Sequence, residues 1–262
     1  MSRLDDERMY LLHSKMQGFK KRIEKAKKIL KIALNQAKNP TLSFSAGKDS
    51  IVLLDMAIKC GFKGKIVFFK YGICNDIETP KENIKLLEYY TQKYDLQYEI
   101  LNCLGEVDCW EMCNGFILRP ETKEQKRIFN KTNYDFIEKS KMFDKLNHTD
   151  LSIIGMRKAE SKNRQLILNM KGEIYITKYR GLITCCPLAG LTNEDIWAYI
   201  FLNRLKYLKI YDYEYIDRRY IRNEITLLYN DSILRNGMIF HYKQMYKDYF
   251  NWLTLKYGNI LF

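Results

Sequence analysis

Residues 42–57 read LSFSAGKDSIVLLDMA. Ser45, Ala46, Gly47, Lys48, Asp49 and Ser50 stand there at the head of an apolar run. A turn of small residues lets backbone N–H groups approach an anion closely, and a helix that starts there adds the positive end of its dipole. Gly47 is read as the residue free to take backbone angles closed to larger side chains. Ser45 and Ser50 can donate from their hydroxyls, and Lys48 brings a point charge suited to phosphate oxygens. Asp49 can cap the helix or help hold a magnesium ion through water. The chemistry indicated is phosphate binding. It is not that of a Walker turn, G-x-x-x-x-G-K-[ST]: the position five before Gly47 is Leu42, and Asp49 follows Lys48.

Such a turn works at the carboxyl end of a strand in an open parallel sheet, and the neighbouring sequence has that rhythm. Thr41–Ser45 is expected as a short strand. Residues 49–60 are expected as a helix, with Gly61 at its end. Lys65–Phe69 is a continuous apolar strand, of the kind buried on both faces. Pro80–Tyr94 reads as a helix opening on proline. Gln97–Leu101 and Leu151–Gly155 are read as the third and fourth strands. Ahead of them, Met16, Phe19, Ile23, Ala26, Leu30, Ala33 and Ala37 keep helical spacing, with lysines on the other faces, up to Asn39-Pro40. Residues 102–150 form an insertion of mixed helix and loop. Gly172–Lys178 is expected as a hairpin strand. Thr192 and Asp195 form a variant capping box for a helix carrying Ile196, Trp197 and Ile200. The fold class expected is α/β, a twisted parallel sheet flanked by helices. An N-terminal helical segment (1–39) precedes the α/β domain (40–200), and a mostly helical extension (201–262) follows it.

Three more stretches bear on function. VFFKYGICNDIETPKENI keeps Gly72 and Glu78-Thr79 at the exit of the second strand. IIGMRKAESKNRQ holds Gly155, Arg157, Glu160, Ser161 and Arg164. CPLAGLTNEDIWAYI follows. Together with SFSAGKDS, in this order, they resemble the adenine nucleotide alpha-hydrolase-like superfamily of PP-loop (N-type) ATP pyrophosphatases, in its phosphoadenosine-phosphosulfate reductase-like branch. SFSAGKDS resembles the S-G-G-K-D-S pyrophosphate loop, with Ala46 at the first glycine. Lys70 and Tyr71 stand where Asp-Thr is common, and Leu191 where Trp is usual. The resemblance covers residues 40–200.

The resemblance implies a Rossmann-like (HUP-type) fold that binds ATP with magnesium. A substrate nucleophile attacks the α-phosphate, pyrophosphate leaves and the substrate is adenylated. Carried onto this sequence, it implies nucleotide binding by Ser43, Ser45, Ala46, Gly47, Lys48, Asp49, Ser50, Phe69, Lys70, Gly72, Gly155, Arg157 and Arg164. Lys48, Asp49 and Arg157 would be catalytic, and Asp49 would also be the metal residue. Arg157 and Arg164 are seven apart, so on a helix both would share a face; the alternative is a surface salt-bridge pairing with Glu160. Adenine recognition would fall at the backbone of Phe68–Lys70.

The branch is less fixed. Phosphosulfate reductases use a cysteine in a C-terminal E-C-G-x-H segment, and no cysteine follows Cys186 here. There is no C-x-x-C pair of the tRNA thiolase kind. Cys103, Cys109 and Cys113 have no recognised cluster spacing. Buried thiols are the default for the seven cysteines, with a metal cluster, or a persulfide on Cys186, as alternatives. His13, His148 and His241 form no metal spacing.

The 262 residues, 47% of them hydrophobic, suffice for one good core plus a smaller appendage. No stretch has the roughly 18 apolar residues of a membrane span, and the charged N-terminus has no signal-peptide pattern; a cytoplasmic protein without membrane contact is expected. The net charge of +13 favours polyanionic partners or a merely solvated basic surface. The leading reading is an ATP pyrophosphatase in sulfur transfer to a nucleic acid, as in DNA phosphorothioation or RNA thiolation. Its expected partners are ATP, the nucleic acid and a cysteine-desulfurase-type sulfur donor; oligomeric state stays open, a homodimer included. The rival readings are a sulfate adenylyltransferase-like or phosphosulfate-binding enzyme, and a nucleotide- or nucleic-acid-binding protein without catalysis.

Overall fold

The computed structural model describes residues 3–73, 79–115, 117, 120–212, 243–244 and 246–257. Glu78, Cys74 and most of the expected C-terminal extension lie outside these. Six strands form one sheet: β1 (Pro40–Ser43), β2 (Lys65–Tyr71), β3 (Tyr98–Cys103), β4 (Leu151–Ile153), β5 (Ile174–Thr177) and β6 (Leu182–Cys185). Their order is β3-β2-β1-β4-β6-β5. β1 pairs parallel with β2 and β4, and β4 parallel with β6; β5 is antiparallel to β6. Ile66, Leu42, Ile153 and Cys185 line up across four strands, all fully buried. Each apolar side chain in that row contributes about 1.5–3 kcal/mol by leaving water. This is why the strands read as continuous apolar runs.

The helices are α1 (Arg3–Lys15), α2 (Gln17–Gln36), α3 (Lys48–Lys59), α4 (Lys81–Tyr94), α5 (Glu106–Met112), α6 (Lys123–Leu146), α7 (Lys162–Lys171), α8 (Asn193–Leu202) and α9 (Lys247–Tyr257). α2 buries Phe19, Ile23, Ala26, Leu30 and Ala33, as the spacing requires. Met16 and Ala37 prove to be its flanking caps, and Met16 is exposed. A further helix, α1, precedes it without a strong apolar period; Tyr10 holds it by ring contacts to Trp197 and Phe201 of α8. Gly61 has φ +94 just past α3, the left-handed ending that glycine supplies at little cost.

The chain divides into two compact units. The first is Met1–Phe68, Lys85–Glu99 and Met142–Leu208. Its helices are tied together by buried carboxylates. Asp55 on α3 accepts from Tyr94 Oη at 2.7 Å and Tyr199 Oη at 2.9 Å, and Lys59 Nζ lies 2.7 Å away. Asp195 on α8 takes both Nε and Nη2 of Arg22, at 2.6 and 2.7 Å, and His13 Nε2 at 2.8 Å. Burial pushes the Asp195 carboxyl up, but the hydrogen bonds from Arg22, the Thr192 N–H and His13 outweigh it and hold it below the usual range.

The second unit is Phe69–Ile84, Ile100–Lys141 and Lys209–Phe262. The exit of β2 is fixed there by the inserted segment. Gly72, at φ +93, donates its N–H to Cys103 O, and buried Asp108 accepts from the N–H groups of Ile73 and Gly105. Thr79 Oγ1 accepts from Tyr71 N–H at 2.9 Å.

Two expectations need correction. Leu182–Cys185 forms a sheet strand that the sequence reading lacks: four residues between Gly181 and Pro187 are too short a run to stand out. Arg157 and Arg164 do not share a helix face. Arg157 has extended backbone, a 3-10 turn (Lys158–Glu160) follows it, and α7 starts only at Lys162.

Candidate functional site

The strand order reverses at β1, with β2 on one side and β4 on the other. In open α/β sheets the crevice at the carboxyl ends of such strands is where ligands bind. Residues 44–50 leave β1 there, and Ile154–Arg157 leave β4.

The turn after β1 places Gly47 as the N-cap of α3, at φ −73 and ψ 158. The left-handed residue is Ala46, φ +60, fully buried. The expectation for Gly47 is therefore moved by one residue. Alanine, not glycine, carries the unfavourable backbone angle, which costs about 1–2 kcal/mol for an L residue. The first helical hydrogen bond runs from Ile51 N–H to Gly47 O at 3.0 Å. The N–H groups of Lys48, Asp49 and Ser50 precede it and have no helical acceptor. Ser50 Oγ donates to Gly47 O at 2.9 Å and accepts from Ser45 N–H at 3.3 Å, bracing the turn from inside. Gly47 N–H reaches Ser45 Oγ at 3.4 Å. Ser45 is exposed, Ser43 half-buried at the end of β1, and Lys48 buried.

Asp49 is the hub of the site. Its Oδ1 lies 2.6 Å from Arg157 Nε and its Oδ2 3.5 Å from Lys48 Nζ. Arg157 is 1% exposed. Its Nη1 donates to Leu191 O at 3.3 Å and its Nη2 to Asn193 Oδ1 at 2.8 Å, while its backbone N–H donates to Glu160 Oε2 at 2.8 Å. Every face of the guanidinium is thus met by protein. Gly155 brings the exit of β4 to α3: a Cβ at that position would stand 3.6–3.7 Å from Asp49, in van der Waals contact. Arg164 sits on the first turn of α7, more exposed, with Nη1 2.5 Å from Glu160 Oε2. The surface pairing with Glu160 is therefore Arg164's, and Arg157 has a separate place.

The structure brings Ser45 through Ser50, Gly155 and Arg157 together. Phe69, Lys70 and Gly72 belong to the other unit, where Phe69 packs on the Phe136 ring at 4.6 Å. Asn193 and the Leu191 carbonyl are participants that sequence reasoning did not single out for the site; Glu160 figures in that reasoning only as a motif residue and a salt-bridge partner. The capping box located Asn193 on the first turn of α8, but nothing in its spacing indicates a reach to Arg157. That capping box itself is present: Thr192 N–H donates to Asp195 Oδ2, and Asp195 N–H to Thr192 Oγ1.

The donor set does not fit a protein-held magnesium ion. Asp49 is the acid at the turn, and both its oxygens face cations. Among the described residues no three of His, Cys, Asp and Glu group as a metal site. Cys103, Cys109, Cys185 and Cys186 are also withdrawn, while Cys60 and Cys113 are half-buried. Burial pushes Cys185 and Cys186 up to about 12, and Cys103 up to about 11. Cys186 packs with Leu168 and Ala189 in a small apolar cluster. A persulfide on Cys186 is out of keeping with that burial. Among the described residues no helix is long and apolar enough to cross a membrane.

Comparison with known proteins agrees with this fold. In sequence, 201 residues are 27% identical to an uncharacterized protein of Methanocaldococcus jannaschii, covering 74% of this chain and 45% of that one. Sulfate adenylyltransferase subunit 2 of Buchnera aphidicola (strain Tuc7) is 24% identical over 228 residues, 79% of this chain and 71% of that one. The chain thus spans less than half the length of the first of these relatives. In structure, the phosphoadenylyl-sulfate reductase of Candida auris, solved as a phosphate complex, superposes with TM-score 0.54 at 15% identity, over 81% of this chain and 92% of that one. The U34-tRNA thiolase NcsA of Methanococcus maripaludis, solved with its [4Fe-4S] cluster, gives TM-score 0.50 at 14% identity, over 89% and 80%. Residues 39–217 match the phosphoadenosine phosphosulfate reductase domain, and the chain belongs to that family.

Proposed function

We propose that this chain is a PP-loop ATP pyrophosphatase that adenylates a nucleic acid as a step in sulfur transfer. The observation that carries the reading is the turn at the head of α3: N–H groups of its first turn, Lys48 buried beside them, and a position at the carboxyl end of β1 where the strand order reverses. A helix N-terminus with a lysine stabilises the charge that builds on departing pyrophosphate.

In this reading the N–H groups of Lys48, Asp49 and Ser50, with the Lys48 ammonium, hold the β- and γ-phosphates. The acceptor's oxygen forms a bond to the α-phosphorus as the bond to pyrophosphate breaks. The products are the adenylated acceptor and pyrophosphate. A sulfur donor then displaces AMP. Asp49 keeps Lys48 aimed at the turn, and Arg157 keeps Asp49 in place. No step is assigned to a protein-bound metal. The buried Cys185 and Cys186 favour a sulfur atom brought by a separate donor. The shared fold with a tRNA thiolase and the net charge of +13 support a nucleic acid acceptor.

The test uses purified protein, α-labelled ATP, magnesium as the nucleotide's counterion, and RNA or DNA acceptors. Pyrophosphate release and label transfer to the acceptor are expected, with both lost in Lys48→Ala. Release of orthophosphate alone, or no release, would end this reading. A second reading, an enzyme of sulfated nucleotides, has the sulfate adenylyltransferase relatives in its favour. It predicts a larger rise in melting temperature with adenylylsulfate than with ATP at equal concentration.

A further inference from the structure

We infer that the exposed face of α2 is a docking track for the sugar-phosphate backbone of a nucleic acid, leading to the phosphate-binding turn. The helix carries seven basic residues and one acid, Glu24. Three of the seven are already engaged: Arg22 with Asp195, Lys25 with Glu173 and Lys27 with Glu24. Lys20, Lys21, Lys28 and Lys31 are exposed, and among the described residues none of them makes an ion pair. At 3.6 residues per turn these four fall within about 100° of the helix circumference, roughly opposite the buried stripe.

The direction of the helix matters as much as its charge. Its C-terminal end leads through residues 37–39 into Pro40, the end of β1 that lies away from the site. Its N-terminal part lies at the site end. Arg22 binds Asp195 on the first turn of α8, neighbouring Asn193 binds Arg157, and Arg157 binds Asp49. Lys20 and Lys21 directly precede Arg22, the residue that starts this chain of contacts. From there the lysines run down a helix of 20 residues, about 30 Å at 1.5 Å per residue.

The face fits a nucleic acid better than an acidic protein. A protein partner needs apolar area at the centre of its footprint. The large apolar side chain exposed on α2 is Ile32, and the rest of the face is lysine and amide around one acid, Glu24, which Lys27 already pairs. Contacts of that kind work by neutralising phosphates and releasing counterions. The inference rests on the proposed function only in taking the acceptor to be a nucleic acid.

The experiment measures binding of hairpin RNA and duplex DNA oligonucleotides from 50 to 300 mM salt. It compares the unmodified chain, Lys20→Gln/Lys21→Gln/Lys28→Gln/Lys31→Gln, and a charge-matched control, Lys85→Gln/Lys145→Gln/Lys171→Gln/Lys178→Gln. Melting temperatures establish that each protein is folded. The α2 variant is expected to bind at least tenfold more weakly, with a salt slope reduced by about 3, at roughly 0.7–0.9 per phosphate contact. The control is expected to bind nearly as the unmodified chain does. Equal losses in both variants, or an unchanged α2 variant, would overturn the inference and leave the proposed reaction standing. Displacement of the oligonucleotides by polyglutamate at equal charge concentration would also overturn it, in favour of an acidic protein. If the unmodified chain binds no nucleic acid while still releasing pyrophosphate with another acceptor, both this inference and the proposed acceptor class fail together.

Discussion

Arg157 offers the sharpest test of the site. As a ligand for developing phosphate charge, its loss would weaken nucleotide binding or catalysis and leave stability nearly unchanged. As the strut seen here, its loss strips Asp49 of a partner 2.6 Å away, and orphans the Leu191 carbonyl and Asn193 Oδ1. Breaking a buried pair by removing one member costs about 3–5 kcal/mol. Asp49 keeps some access to water and keeps Lys48 at 3.5 Å, so the lower end applies, about 3 kcal/mol for Arg157→Met. Arg157→Lys, which can reach only one of the three acceptors, is expected to lose about 2 kcal/mol, less than Arg157→Met because a cation still faces Asp49. The assay is a double-mutant cycle by urea unfolding with Arg157→Met, Asp49→Asn and the double variant. A coupling of about 2–3 kcal/mol between them is expected. A coupling below about 0.5 kcal/mol, with Arg157→Met as stable as the parent and impaired only in nucleotide affinity, would refute the strut and restore the phosphate role.

The remaining expectations concern the turn, the Asp195 cluster and the thiols. Ala46→Gly removes a left-handed alanine costing about 1–2 kcal/mol and gives back about 0.5–1 in unfolded-chain freedom; a rise of up to about 1 kcal/mol in urea stability is expected, and a fall would argue that Ala46 is unstrained. Asp195 has a folded-state carboxyl pKa below its unfolded value near 4, so its contribution is fully present above about pH 4 and lost as pH falls through the folded value. Asp195→Asn should then flatten the acid limb of the stability profile, and Arg22→Met, whose guanidinium is partly in water and leaves Asp195 with His13 and the Thr192 N–H, should cost about 1–2 kcal/mol at pH 7; an unchanged acid limb in Asp195→Asn would contradict the assignment. Cys185 and Cys186, held near 12, should resist alkylation by iodoacetamide at pH 8 until the chain is unfolded, and Cys186→Ser should leave sulfur transfer intact; rapid labelling of Cys186 in the native protein would revive a persulfide role.

Much of this site was legible in the sequence because its parts are local. A lysine after a small-residue turn, between an apolar strand and an apolar helix, can be read from about fifteen letters, and Lys48, Asp49 and Ser50 lie on the first turn of that helix. The parallel sheet was legible because Ile66, Leu42 and Ile153 belong to strands buried on both faces. What escaped depends on contacts between distant segments. Arg157 and Arg164 differ by seven positions, which suggests one helix face, yet the 3-10 turn between them sends one inward and leaves the other at the surface. Asn193 is 36 residues from Arg157, and no local pattern marks an asparagine for such a contact. The left-handed angle at Ala46 escaped because its chemistry suggests nothing: glycine next door looked the better candidate.

The bracing of the turn extends beyond the segment that carries the family likeness. That segment begins at residue 39, yet two of the groups that hold Asp195, His13 and Arg22, lie before it. Asp195 is fully buried, so without them its charge would be met only by the Thr192 backbone. Its neighbour Asn193 is a partner of Arg157, and Arg157 is a partner of Asp49. α1 and α2 are therefore not an appendage to a finished nucleotide domain. They neutralise a carboxylate on the first turn of α8, and that turn and the residue ahead of its cap supply two of the three side-chain contacts Arg157 makes, through Asn193 and the Leu191 carbonyl. One helix thus divides its charge between the lysines of its outer face, which meet solvent, and the guanidinium of its inner side, which meets Asp195. Charge left free points to solvent, and charge already satisfied fixes the turn.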